Sequence, residues 1–198
     1  MAALFGKIYS KMMGFCQMTM QIPDSTRLSF ALMDDGDADL LYQLDQDVEV
    51  MRYINGGKIT TREDIHNTFL PRLAQYRNPE KGWGLWQLTV TETGQYIGWL
   101  LVRPMGFFGD DPQWTDWELG WRLFRSAWGH GYATEAASHL MQELASTQDV
   151  SHFSAIAMPG NAASIKVMEK LGMRYQKTGI HSDPLGDEEV VYYSKRVC

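Results

Sequence analysis

Trp128-Gly129-His130-Gly131-Tyr132-Ala133-Thr134-Glu135 is the stretch on which the reading of this chain turns. It stands between a strand-like run, residues 115–123, and the strongest periodic signal in the sequence. That signal is Ala133, Ala136, Ala137, Leu140, Met141 and Leu144, spaced i, i+3, i+4, i+7, i+8 and i+11 as one buried helix face requires. Two glycines let the backbone pass close to a ligand, and the start of a helix offers unpaired N–H groups to an anion. Phosphate is the natural tenant. A dinucleotide fingerprint fits poorly, because Thr134 stands three residues after Gly131 and the motif follows three strands rather than the first. The Gly-Lys-Ser/Thr of a Walker loop is absent. Taken alone, a Gly-x-Gly turn also fits a plain tight turn.

The flanking segments give the turn its setting. A first strand is predicted over residues 27–33, and a helix from about Asp37, where Leu40, Leu41, Leu44 and Val48 recur at helical spacing. A second helix starts at Thr61 with Glu63 and Asp64 in its first turn and fades by Asn78-Pro79. Strand-like runs at 83–90, 96–102 and 115–123 are joined by short links, which favour antiparallel neighbours. After the long helix come a strand over 153–158, a helix capped by Asn161 and ended by Gly172, and strands near 173–178 and 189–196. The order β-α-α-β-β-β-α-β-α-β-β predicts an α/β (α+β) fold with a mixed, mostly antiparallel sheet and one parallel βαβ crossover. It is neither doubly wound nor all-β.

Size and composition exclude several classes. The chain has 198 residues, 44% of them hydrophobic, enough for one domain with a sizeable core and too many for a disordered linker. A formal charge of −6 argues against a protein whose main business is gripping nucleic acid. Cys16 and Cys198 have no metal-ligand spacing, and the five histidines give no reason to propose a metal. Residues 1–24 are expected to be an extension ahead of a single domain over 25–198. They lack the apolar centre and cleavage site of a secretory signal, and every window long enough to span a membrane contains charge. A cytoplasmic protein with no membrane partner is the expectation. The negative charge is uneven: from Gly120 to Thr134 the only charged side chains are Arg122 and Arg125.

Two segments together carry a family resemblance. The first is Glu118-Leu119-Gly120-Trp121-Arg122-Leu123 with Trp128 through Ala136; the second runs from Asn161 through Ser164 and Met168 to Gly172-Met173. The pair resembles the GNAT superfamily of N-acetyltransferases, most closely the RimJ/RimL-type branch named for enzymes acting on N-termini of ribosomal proteins. The opening Thr26-Arg27-Leu28 also fits that branch, and the resemblance covers roughly residues 25–196. It implies a GNAT fold, a twisted sheet with helices on both faces and a central βαβ unit that binds acetyl-CoA as acetyl donor. Trp128, Gly129, His130, Gly131, Tyr132, Ala133 and Thr134 would then hold the pyrophosphate at the helix N-terminus. The preceding strand would splay from its parallel neighbour, laying backbone near Trp121 and Leu123 along the pantetheine arm, with Asn161 near the thioester. A homodimer is compatible with the resemblance. Two departures stand out. Ser126 occupies a position often held by Gln or Arg, with Arg125 beside it, and Met168 replaces a Tyr that in many members protonates the leaving thiolate. Ser164, common at its place in this branch, becomes the candidate acid, although a first-turn serine also serves simply as a hydrogen-bonding helix residue.

An α-amine, whose ordinary pKa is about 7.7–8.0, needs a base before it can attack a thioester. Glu118 is the candidate, with Asp116 a rival on the same strand face and an ordinary ion pair to Arg122 the competing reading. Backbone N–H near Leu123 would hold the oxyanion. The resemblance implies an amine acceptor, a peptide N-terminus or a small molecule, with residues 51–54 and 114–117 as expected pocket walls, although their aromatic side chains also fit a core. Four of the seven tryptophans, Trp114, Trp117, Trp121 and Trp128, fall on the expected cofactor strand or its flanks. An antibiotic- or polyamine-directed enzyme and a non-catalytic acetyl-CoA-binding module are the alternatives.

Overall fold

The computed structural model describes residues 19–197. One seven-stranded sheet has the order β1-β2-β3-β4-β5-β7-β6: β1 Leu28–Leu32, β2 Gly84–Val90, β3 Gln95–Met105, β4 Gln113–Leu123, β5 His152–Ala157, β6 Arg174–Asp183 and β7 Gly186–Arg196. Neighbours are antiparallel except β4 and β5. The helices are α1 Ala38–Leu44, α2 Val48–Asn55, a composite α3, α4 Tyr132–Thr147 and α5 Ala162–Lys170. Helix α3 begins as Arg62–Asp64, passes through a π segment, Ile65–Phe69, and ends as Leu70–Tyr76. The mixed sheet, its βαβ unit and the helices on both faces agree with the sequence reading.

Alternation along β4 decides which face carries what. Trp117, Leu119 and Leu123 are buried with Ala136, Ala137, Leu140 and Leu144 of α4 in the larger core. On the opposite face Met33, Leu41, Ile65, Leu73, Tyr76 and Leu85 form a second core with α1 and α3. The segment before β1 is tied to the first core: Ile22 is buried in it, and the Met20 N–H donates to the Pro79 carbonyl at 2.7 Å. The first 18 residues of the expected extension lie outside the described residues, as do Cys16 and Cys198.

The sheet opens where the site is expected. β4 and β5 pair over only three positions, Asp116 with His152, Trp117 with Phe153 and Glu118 with Ser154. Beyond them residues 119–123 stay paired with β3 and residues 155–157 with β7, so a wedge parts the two strands. The facing edges therefore carry backbone polar groups with no strand partner.

Three differences from the expected elements have local causes. The helix read from Asp37 through Val48 is two helices, because Asp45 is buried in an ion pair with Arg122 and Asp47 starts a new helix by capping the Glu49 N–H. The π segment in α3 precedes Pro71, whose ring nitrogen has no proton for the carbonyl four residues back. The final hairpin is longer than expected, running to a turn at Pro184-Leu185, since its outer half is exposed and shows little hydrophobic alternation.

Candidate functional site: a split sheet between an anion-binding turn and a buried carboxylate

Gly129 and Gly131 both adopt φ +79°, in the left-handed region. Gly131 is the N-cap of α4 and has no side-chain cap; the first bond inside the helix runs from the Glu135 N–H to its carbonyl at 3.0 Å. The N–H groups of Tyr132, Ala133 and Thr134 consequently have no intrahelical acceptor and point out of the N-terminus of a 16-residue helix. An anion fits there. Trp128 is half exposed, and its indole N–H donates to the Leu123 carbonyl at 2.9 Å, tying the start of the turn to the open end of β4.

The turn is also clamped from the segment that leads into β1. Arg27 Nε donates to Glu135 Oε2 at 2.7 Å and its Nη2 to the His130 carbonyl at 3.2 Å, while the guanidinium lies over the Tyr132 ring. Ser25 Oγ and the Arg27 backbone N–H both donate to Glu135 Oε1 at 2.8 Å. Partial burial would raise the Glu135 pKa. The hydrogen bonds from Ser25 and Arg27 outweigh that and hold the carboxyl below the usual range. The Tyr132 and His130 rings stack at 5.6 Å, with His130 on the exposed side.

On the other face of the sheet lies a cleft of about 720 Å³ between α2–α3 and the β5–β7 side. Tyr53, Ile54 and Ile59 line one wall, Ile156, Met158 and Leu185 the other, and Arg103 of β3 reaches into it. Tyr53 extends to the turn before α5, 3.6 Å from where a Cβ on Gly160 would lie. Arg72 of α3 and Asp183 of β6 bridge the walls, Nη2 meeting the two carboxylate oxygens at 2.7 and 2.9 Å. Of the expected walls, Tyr53 and Ile54 take part, whereas Met51 is fully buried and Arg52 points outward to Glu49. Residues 114–117 do not form a wall: Trp117 is in the core, and Trp114 is exposed and stacks on Trp83. Of the four tryptophans grouped in the sequence, only Trp121 and Trp128 belong to the open end of β4 and the turn.

Glu118 is 4% exposed and sits directly across from Arg103, whose Nε donates to Oε2 at 2.7 Å. The alternative pairing with Arg122 does not form, because Arg122 turns to Asp45 at 2.5 Å and covers the Trp99 ring. Arg122 is therefore absent from the anion-binding turn, and the exposed Arg125 is the member of that pair near it. Arg103 borders the cleft and Glu118 lies a layer behind. Asp116, two residues earlier, accepts from Ser154 Oγ at 2.9 Å and keeps Oδ1 buried without a partner. Burial raises its pKa above the ordinary aspartate value.

Across the wedge, Asn161 caps α5 by accepting the Ser164 N–H at 3.1 Å. Ser164 is partly buried. Met168 is 1% exposed in the main core, so its thioether fills space rather than facing the wedge. The sequence reading did not find Arg103, Asp45 or the Arg72–Asp183 bridge. Arg103 was within reach, since pairing the two strands around the 106–112 loop sets it opposite Glu118. The other two depend on how helices dock on the sheet, which spacing does not encode. Among the described residues no group of three or more His, Cys, Asp or Glu is placed to hold a metal ion.

Comparison with known proteins agrees with this fold. A family model described as "Acetyltransferase (GNAT) domain" matches residues 27–174. The uncharacterized protein YkkB of Bacillus subtilis (strain 168) is 35% identical over 157 residues, covering 77% of this chain and 84% of that protein. Two solved structures containing coenzyme A share the fold. Aminoglycoside acetyltransferase AAC(6')-Ib has a TM-score of 0.67 at 21% identity, covering 85% of this chain and 94% of that one. RimL, the ribosomal L7/L12 alpha-N-protein acetyltransferase, has a TM-score of 0.69 at 16% identity, covering 90% and 98%. One is named for an aminoglycoside and the other for a ribosomal protein, so fold likeness alone selects no acceptor. With the family model spanning both the wedge and the two-glycine turn, the chain belongs to the GNAT acetyltransferase family.

Proposed function

We propose that the protein transfers the acetyl group of acetyl-CoA to a primary amine, the RimJ/RimL-like resemblance making a protein N-terminal α-amine the first acceptor to test. The observation that carries the reading is the set of unpaired N–H groups at the start of α4, at the mouth of a wedge whose far face holds a buried carboxylate. In this reading Trp128 to Thr134 hold the pyrophosphate, and the unpaired β4 edge near Trp121 and Leu123 takes the amide groups of the pantetheine arm. Asn161 lies toward the thioester. The amine enters from the cleft and gives up a proton to Glu118 through a water, since Arg103 stands between the carboxylate and the cleft. The nitrogen lone pair then forms the C–N bond, and backbone N–H near Leu123 holds the oxyanion. As the C–S bond breaks, the thiolate takes its proton from Ser164, and Ser164 recovers one from the nitrogen as that becomes the neutral amide, leaving the single net proton on Glu118 to pass to solvent.

Incubating purified protein with acetyl-CoA and a panel of primary amines, with free thiol as readout, tests the proposal. Amine-dependent thiol release and an acetylated product of the right mass are expected. Tight CoA binding with no turnover on any amine would instead identify a non-catalytic binding module.

A further inference from the structure

The cleft that would admit the amine has a distinctive balance of charge and apolar surface. Three large aliphatic side chains stand exposed at its walls, Ile54 at 43%, Ile59 at 46% and Leu185 at 59%. Single exposed aliphatics are ordinary, but these come from both walls, α2 and the loop after it on one side and the β6–β7 turn on the other. Most of the charge around them is already engaged. Asp183 is held by Arg72, and Glu118 by Arg103. Asp64 accepts from both the backbone N–H and the hydroxyl of Thr61, closing the cap of α3. What remains facing the space is Lys58 and His181 against Glu188. Counted with Glu118 behind Arg103, four carboxylates (Asp64, Asp183, Glu188 and Glu118) stand against three cations (Lys58, Arg72 and Arg103), so one positive charge is accommodated. A polycation would meet no further surplus of acid and would lie against exposed aliphatics. The volume, about 720 Å³, is that of a site for a small ligand or the first residues of a chain.

We infer that the acceptor is a monoamine carried on an apolar body, an alkyl- or arylalkylamine or a peptide whose first side chain is apolar, and not a polyamine or aminoglycoside. The inference rests on the acetyl-transfer reading above and names the substrate class of that same site. Ile54, Ile59 and Leu185 cover the apolar body while the amine reaches past Arg103 toward Glu118. Affinity therefore follows the area the body buries. Each added methylene in a short alkylamine series should raise kcat/KM about 4-fold until the cleft is filled, the fold-change that corresponds to ~0.8 kcal/mol per buried CH₂.

The test is a thiol-release assay at saturating acetyl-CoA with n-alkylamines of increasing length, phenethylamine, a tripeptide beginning with leucine, spermidine and kanamycin. The apolar monoamines should exceed spermidine and kanamycin at least tenfold in kcat/KM. The peptide and phenethylamine arms tell a chain end from a free small molecule. Leu185→Glu and Ile59→Glu alter exposed side chains, so the fold is retained. They should raise KM for the apolar amines tenfold or more and leave KM for acetyl-CoA unchanged. A preference for spermidine or kanamycin, or a flat chain-length series with unaltered KM in both variants, overturns the inference while leaving acetyl transfer intact. Absence of turnover on every amine, with CoA still bound in calorimetry, overturns both readings.

Discussion

Glu118 and Arg103 show how a carboxylate can be buried without being left unpaired. The ion pair takes one oxygen, fixes the side chain, and satisfies a charge that would otherwise be costly in a site only 4% exposed. Glu118→Gln keeps an oxygen for the Arg103 N–H but cannot accept a proton. The fold should survive with a lowered circular dichroism melt, because buried Arg103 loses its counter-charge, while kcat at neutral pH falls about 10²–10⁴-fold, the usual worth of a general base. Activity of the variant should recover as pH rises and the amine deprotonates in solution. Full kcat at all pH values would remove Glu118 from the role. Glu135 gives a second test at this scale, with the opposite pH direction from a cationic group. Its carboxyl is held low in the folded protein, so the stabilising Ser25–Arg27–Glu135 contacts are complete above the ordinary glutamate pKa. They are lost as pH falls through the depressed value. CoA affinity measured by calorimetry should weaken on acidification over that window, and Glu135→Gln should both weaken it at neutral pH and flatten the dependence.

At the scale of elements, glycines show which parts of the site are conformational and which are steric. Gly131 has φ +79°, and a Cβ there would meet nothing closer than 3.8 Å, so Gly131→Ala strains only the backbone, by roughly 1–2 kcal/mol. The expected result is a folded protein with weaker CoA binding, because the N–H groups of Tyr132 to Thr134 lose their aim. Gly98 differs: a Cβ would lie 2.2 Å from the Arg122 carbonyl, so Gly98→Ala must part β3 from β4. Loss of soluble protein, or a melting temperature lower by far more than in Gly131→Ala, is the outcome to check. The same contrast explains what was legible in the sequence. The two-glycine turn and its helix could be read because their constraints are local: φ, spacing and an apolar face. The antiparallel pairing of β2, β3 and β4 followed from short links, and Asn161 from helix-cap chemistry. The break between α1 and α2 could not be read, since it depends on Asp45 reaching Arg122, 77 residues away. Trp114 and Trp117 were misplaced for a related reason. Near neighbours in sequence, one caps the outer surface beside Trp83 and the other fills the core.

For the whole molecule, the three-pair contact between β4 and β5 is the narrowest seam in the sheet. On one side stand β1 to β4 with α1 to α3, and on the other β5, β6 and β7 with α5; α4 and the Arg72–Asp183 bridge are among the other ties across it. A ligand that fills the wedge and binds both the start of α4 and the unpaired β4 edge would join the halves where the sheet itself does not. Binding to the folded state alone stabilises by RT ln(1 + [L]/Kd), about 2.7 kcal/mol at a hundredfold excess over Kd. CoA should therefore raise the melting temperature in proportion to the logarithm of its concentration. The accompanying slowing of amide exchange should concentrate at residues 119–123, 129–134 and 155–161, with little change in β1 or β2. Gly131→Ala should reduce both effects in step with its loss of affinity. Protection spread evenly over the sheet, or confined to the turn with no change at β4 and β5, would mean that the ligand does not bridge the wedge.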